Sequence, residues 1–207
     1  MKIAREGWSP AALIAVVGIA VGVLLHVLAA VPFVLLLLFT LWFFRDPERD
    51  TPDDPGALIS PADGRVLIAT GRKISVFMNV FDVHVCRSPS AGRVEEVQHL
   101  PGRFLAAYKD SASEHNERAS IRLRGGQSEL TFTLVAGLVA RRIVCRVVPG
   151  QLLGAGERVG LIRFGSRVDV SPPQGFSPCV KVGQRVTAGE TVIARTEASA
   201  TDAHSRI

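Results

Sequence analysis

The sequence predicts a mainly β fold, an antiparallel sandwich or barrel-like domain, preceded by an N-terminal hydrophobic helix or helical hairpin. Three observations carry this. Pro10 to Phe44 holds no Asp, Glu, Lys or Arg. Beyond residue 57 the chain breaks into short runs rich in Val and Ile, often alternating, punctuated by Gly, Pro and Asp. Long helical periodicity is missing from that part, which favours a packed β domain.

Residues 1–45 form the hydrophobic segment, expected to associate with a membrane. A single bilayer crossing takes about 20 apolar residues. The run is longer than one crossing and shorter than two, and Pro32 divides it. A long tilted helix and a hairpin bent near Pro32 both fit. Lys2 and Arg5 precede the run, and Arg45 and Arg49 follow it. Cations on both flanks favour a hairpin with both ends on the cytoplasmic face of the cell membrane. His26 reads as a polar residue tolerated near the bend. A secretory signal fits poorly, because the apolar part is too long and no small-residue cleavage site follows.

Residues 46–57 contain DPERDTPDDPG and read as a linker. Residues 58–196 form the β domain. Its expected strands are Arg65–Thr70, Lys73–Met78, Val83–Cys86, Gly92–Leu100, Ala119–Leu123, Leu130–Val135, Arg142–Val147, Val159–Phe164, Arg167–Val170 and Thr191–Thr196. Residues 197–207 are polar and read as a flexible tail.

The 207-residue chain has a formal net charge of +5 and a pI near 9.6. Its cations form no run of five and are seldom interleaved with aromatics. That argues against nucleic acid and for an anionic lipid surface. Cys86, Cys145 and Cys179 are odd in number and include no CxxC pair, which argues against a disulfide framework or a zinc site.

Two stretches, Ser60–Val66 and Val182–Glu190, look like related tight turns. They resemble turn units of biotinyl and lipoyl carriers, sugar phosphotransferase carriers and certain zinc endopeptidases. A carrier needs a modifiable lysine at a hairpin tip, and Lys181 precedes the turn instead. A zinc endopeptidase needs clustered ligands including His-x-His, and the five histidines are widely spaced.

The most informative residues are Arg163-Phe164-Gly165-Ser166-Arg167-Val168-Asp169-Val170. A Gly-Ser pair between apolar strands would alone be an ordinary hairpin or bulge. Here it follows, in order, Ser60-Pro61-Ala62-Asp63-Gly64, Asn79-Val80-Phe81-Asp82-Val83-His84-Val85, Asn116-Glu117-Arg118 and Ala140-Arg141-Arg142-Ile143. This ordered set, from about Leu58 to Arg195, resembles the short form of the phosphatidylserine decarboxylase family.

The resemblance implies a self-cleaving proenzyme. The chain would break between Gly165 and Ser166 into chains 1–165 and 166–207, which stay together as a heterodimer. Ser166 would become a pyruvoyl cofactor that forms a Schiff base with phosphatidylserine, and loss of CO2 would give phosphatidylethanolamine. Glycine before the serine would leave the carbonyl open and tolerate a strained backbone. A serine hydroxyl needs a base. The motif match gives His84 that role, later as proton donor, with Asp63 orienting it. Phe81 stands where longer members carry a further histidine, so no role for that histidine transfers. Asn116 and Arg118, with Glu117 between them, and Arg141 and Arg142 are expected to support the site or meet the lipid head group. No metal is expected. A different serine phospholipid, such as archaetidylserine, and a non-catalytic membrane-anchored carrier-like domain are the alternatives. Oligomeric state beyond the cleaved pair is left open.

Overall fold

The structure is a computed structural model that describes residues 2–103, 105, 107–108, 112–125, 128–138, 142–163 and 165–196, with the side chains of residues 114 and 128 outside the description. The expected tail 197–207, Phe164 and Arg141 therefore lie outside the described residues. The chain divides into two compact units, Met1–Glu48 and Arg49–Ile207.

The first unit is a helical hairpin with its ends stitched together. It runs β1 (Lys2–Ile3), α1 (Arg5–Leu24), a 3-10 turn (Val27–Ala30), α2 (Val31–Phe43) and β2 (Arg45–Asp46). The bend expected near Pro32 is present, just ahead of that residue. Pro32 occupies the first turn of α2, where its missing N–H costs nothing. The bend comes just before it, at Leu25–Ala30. His26 caps that bend, its Nδ1 accepting from the Leu28 N–H at 3.2 Å. The helices touch closely: a Cβ on Gly18 would lie 2.7 Å from the Phe33 Cβ. β1 pairs antiparallel with β2, Lys2 opposite Asp46 and Ile3 opposite Arg45. Lys2 also reaches Glu48 at 2.6 Å, an exposed pair.

The second unit contains β3 (Ala57–Ile59), β4 (Gly64–Ala69), β5 (Ile74–Met78), β6 (Val85–Arg87), β7 (Gly92–Leu100), α3 (Ala112–His115), β8 (Arg118–Gly125) and β9 (Ser128–Val135). It continues with β10 (Ile143–Cys145), β11 (Leu152–Leu153), β12 (Arg158–Ile162), β13 (Ser166–Ser171), β14 (Phe176–Pro178), β15 (Arg185–Val186) and β16 (Val192–Thr196). Eight strands form a curled antiparallel half-barrel in the order β11-β7-β8-β9-β13-β5-β4-β15. Two three-stranded sheets accompany it, β10-β12-β6 and β14-β16-β3. The mainly β expectation therefore holds. Each longer predicted strand is present with ends shifted by a few residues, whereas β3, β11, β14 and β15, of two or three residues each, were not predicted.

Register explains the core. Val76, Val168, Leu134 and Ala119 stand in one cross-strand row, and Ile74, Val170, Phe132 and Ile121 in another. All eight are fully buried. Side chains alternate between faces along a strand, so these rows define the core face. The opposite face carries a polar row, Ser75–Asp169–Thr133–Ser120, and a mixed row, Phe77–Arg167–Val135–Arg118.

Arg167 and Asp169 are the charged pair of that opposite face, and both are buried. Arg167 Nε donates to Asp169 Oδ1 at 2.6 Å, and its Nη2 donates to Ser75 Oγ at 2.9 Å. Ser113 of α3 donates to Asp169 Oδ2 at 2.6 Å, and Lys73 Nζ lies 3.0 Å from the same oxygen. Burial alone would raise the Asp169 carboxyl. The Arg167 charge and the Ser113, Ser75 and Arg167 hydrogen bonds outweigh it and hold the group below the usual carboxylate range.

The predicted linker is anchored at both ends. Arg49 pairs with Asp63 at 2.9 Å. Asp54 accepts from the Gly56 N–H at 3.0 Å and pairs with Arg195. The two related turns lie against each other: Gly189 N–H donates to Ser60 O at 2.9 Å, Ser60 N–H to Thr191 O at 2.7 Å and Gly183 N–H to Val66 O at 2.8 Å.

The cysteines test the core directly. Cys86 is buried and Cys179 exposed. Burial first, then the charges of Cys145 and Asp63, push the Cys86 thiol far above its ordinary value. At neutral pH a maleimide should modify Cys179 in the folded protein and reach Cys86 only after denaturation, as read by intact mass. Equal rates for the two would contradict this core.

Candidate active site

Ser166 opens β13, the strand held between β5 and β9. It stands opposite Met78 on the core face. Ser166 is fully buried, and its Oγ makes no hydrogen bond among the described residues. A buried hydroxyl without a partner costs stability. Gly165 before it has φ of 59°. A Cβ there would meet nothing within 4 Å. Glycine is thus favoured at 165 by its left-handed backbone and not by lack of space, which narrows the expectation from sequence. The close approach is at Gly137, where a Cβ would overlap the Gly165 carbonyl oxygen.

His84 lies one residue before β6 and is fully buried. Its carbonyl accepts from the Ile162 N–H at 3.3 Å. Ile162 ends β12, four residues before Ser166, so this bond ties the histidine to the segment that leads into the serine. Its Nδ1 lies 2.9 Å from the Asp82 carbonyl oxygen. A carbonyl only accepts, so this contact assigns the ring proton to Nδ1 and leaves Nε2 as the basic nitrogen. Asp82 is fixed in turn: its N–H donates to Asn79 O at 3.1 Å, and its carboxylate accepts from the Asn79 N–H at 2.9 Å. Phe81 in the same turn is exposed.

Asp63 immediately precedes β4. Its carboxylate accepts from Arg49 Nη2 at 3.1 and 2.9 Å and from the Ala188 N–H at 2.8 Å. The start of β4, the end of β5 and the start of β13 lie at one end of the half-barrel, because Arg65, Phe77 and Arg167 share a row. Asp63 and Ser166 are brought to that end together. The Asp63 charge is felt at Cys86, two residues beyond His84.

The weaker candidates separate. Asn116 is fully buried. Both its amide hydrogens are used, on Leu105 O at 2.8 Å and Ala136 O at 2.7 Å, and its Oδ1 accepts from the Leu105 N–H at 2.8 Å. The Glu117 carbonyl accepts from the Ala136 N–H at 2.9 Å. Together they fasten their loop beside Gly137. Arg118 is half-buried and Arg142 exposed. Arg141 lies outside the described residues.

Sequence reasoning overlooked several participants. Arg49, the Asp82 carbonyl and Gly137 bear on the site through contacts distant in sequence or through main-chain atoms. Arg167 and Asp169 left a legible trace, charges two apart in an apolar strand, which places both on one face.

The sequence model described as phosphatidylserine decarboxylase matches residues 36–70 and 67–194. A phosphatidylserine decarboxylase proenzyme of Desulfotalea psychrophila is 48% identical over 173 residues, covering 78% of this chain and 81% of the relative. One of Chlorobium chlorochromatii is 47% identical over 172 residues, with the same coverage. One of Burkholderia mallei is 46% identical over 203 residues, covering 93% of this chain and 94% of the relative. With the family model matching most of the chain and near-half identity extending almost from end to end, this chain belongs to the phosphatidylserine decarboxylase family of carboxy-lyases.

Proposed function

We propose that this chain cuts its own Gly165–Ser166 bond and, once cut, decarboxylates phosphatidylserine to phosphatidylethanolamine. The observation that carries the reading is the buried Ser166 hydroxyl, without a hydrogen bond among the described residues, directly after a left-handed glycine. The proenzyme names of the relatives support a chain that matures by cleavage.

In this reading His84 Nε2 takes the Ser166 hydroxyl proton, and Oγ attacks the Gly165 carbonyl carbon. The Gly165 C–N bond breaks and the chain continues through an ester. Loss of the Ser166 α-proton expels the upstream chain as a carboxylate at Gly165 and leaves a dehydroalanine. Tautomerisation and addition of water release ammonia and leave a ketone on the amide of Arg167. Asp63, held by Arg49 and the Ala188 N–H, supports His84 by charge, favouring the imidazolium that proton uptake creates. The residues fit such a group: a small side chain in a dry position on a strand anchored along both edges. The pyruvoyl group supplies an electrophilic carbonyl for the substrate amine and a sink for the electron pair left by CO2. His84 is then the proton donor.

We also assign the hairpin of residues 2–48 to the bilayer. α1 has 20 residues, about 30 Å of helix and enough to reach across a hydrocarbon core. α2 has 13 residues, about 20 Å and too short to return across it. Leu13, Val16, Ile19, Leu24, Leu28 and Leu35 are exposed. The β1–β2 pairing brings both ends back together, so the hairpin enters and leaves by one face. The flanking cations support a cytoplasmic face.

Several measurements test this. Purified protein should resolve into two chains, and the smaller one should be tagged by labelled amine plus borohydride. Ser166→Ala and His84→Gln should stay uncut and inactive, and one unbroken chain in active material would sink the reading. Turnover of synthetic ester- and ether-linked lipids separates the substrate classes. Gly137→Ala, which displaces the Gly165 carbonyl, should slow cutting on the order of 100-fold while the circular dichroism is kept. In a Cys179→Ser background, cysteines placed at Lys2 and Glu48 should react with an impermeant maleimide from the same side of membrane vesicles. Reaction from opposite sides would exclude the hairpin.

A further inference from the structure

A new chain terminus normally frays, because the first residues lose the covalent tie that ordered them. After the proposed cut, the reacting group would sit on such a terminus, at residue 166. The next residue is Arg167, whose side chain is fully buried. It donates to Ser75 at 2.9 Å and to Asp169 at 2.6 Å. Asp169 in turn accepts from Ser113 at 2.6 Å and pairs with Lys73 at 3.0 Å. Lys73 Nζ also donates to Ser113 Oγ at 3.1 Å.

The division of these residues between the two products is the informative point. Arg167 and Asp169 fall in 166–207, and Ser75, Lys73 and Ser113 fall in 1–165. The contacts therefore cross the cut. They lie on the sheet face opposite to Ser166, because Arg167 and Asp169 alternate with Ser166, Val168 and Val170. They can hold the strand without occupying the reaction space.

We propose that Arg167 and Asp169, with Ser75, Lys73 and Ser113, form an ionic clasp that keeps the cleaved terminus in register, so that both charged residues act as positioning residues for the mature enzyme. The inference rests on the self-cleavage reading. A buried, hydrogen-bonded ion pair suits this role, because removing one partner strands the other charge and the pair therefore resists opening. Its geometry also fixes the direction of β13 at its first residue, where ladder pairing alone is weakest.

Hydrogen–deuterium exchange of the amides of residues 167–171 tests the clasp in two backgrounds. One is the mature protein; the other is the uncut Ser166→Ala protein. Asp169→Asn should raise exchange about tenfold or more in the cut protein and change it little in the uncut one. The cut variant should lose kcat by a similar factor with KM nearly unchanged, and Asp169→Glu should recover part of it. Should Asp169→Asn fail to fold or cut, Lys73→Met removes a single contact to the same carboxylate, with an expected rise of a few-fold confined to the cut protein. Equal acceleration in both backgrounds, or none in the cut protein, overturns the clasp while leaving the cleavage reading intact. An unbroken wild-type chain overturns the cleavage reading, and the clasp falls with it.

Discussion

Antiparallel ladders hold β13 along both edges, to Met78–Ile74 on one side and to Val135–Thr131 on the other. This double pairing decides what a break before Ser166 can do. An edge strand released at its start could peel away, whereas a central strand must give up two sets of main-chain hydrogen bonds and its buried side chains at once. The rest of residues 166–196 is woven in similarly: β15 pairs with β4 and β16 with β3. In the proposed reaction the protein therefore loses a covalent bond without losing a fold.

The same strand separates two jobs by the alternation of its side chains. Its core-facing positions hold Ser166, Val168 and Val170, and its other face holds Arg167 and Asp169. The Ser166 hydroxyl is buried in an apolar row. The charges are sent to a face where Ser75, Ser113 and Lys73 satisfy them. A charge on the core face would have needed the same partners inside the apolar rows, at a desolvation cost those rows could not offset.

Around the serine, main-chain groups matter as much as side chains. The Asp82 carbonyl sets which nitrogen of His84 is basic, and the Gly165 carbonyl packs where only a glycine at 137 leaves room. The Ala188 N–H helps fix Asp63. The carbonyl and N–H groups themselves are independent of residue type, so sequence patterns barely record what they contact.

Much of the fold was legible because it follows local rules. Apolar alternation located the longer strands, and the charge-free run located the hairpin. Strands of two or three residues, such as β11 and β15, carry too little pattern to be read. The bend falls near Pro32 as expected, just before it, because proline here starts a helix and His26 caps the turn. The motifs around Asp63, His84 and Ser166 were legible because they rest on residue identities in a fixed order along the chain. The sequence by itself determined the fold class and the family, since these depend on periodicity and on residue identity in order. Only the tertiary structure decided that Asp63 is held by Arg49 and Ala188, that Gly137 abuts Gly165, and that Asp169 joins residues from three separate elements. Those relations depend on register and crossing in space, where residues up to 125 positions apart meet, and no local pattern encodes which distant partner a strand will choose.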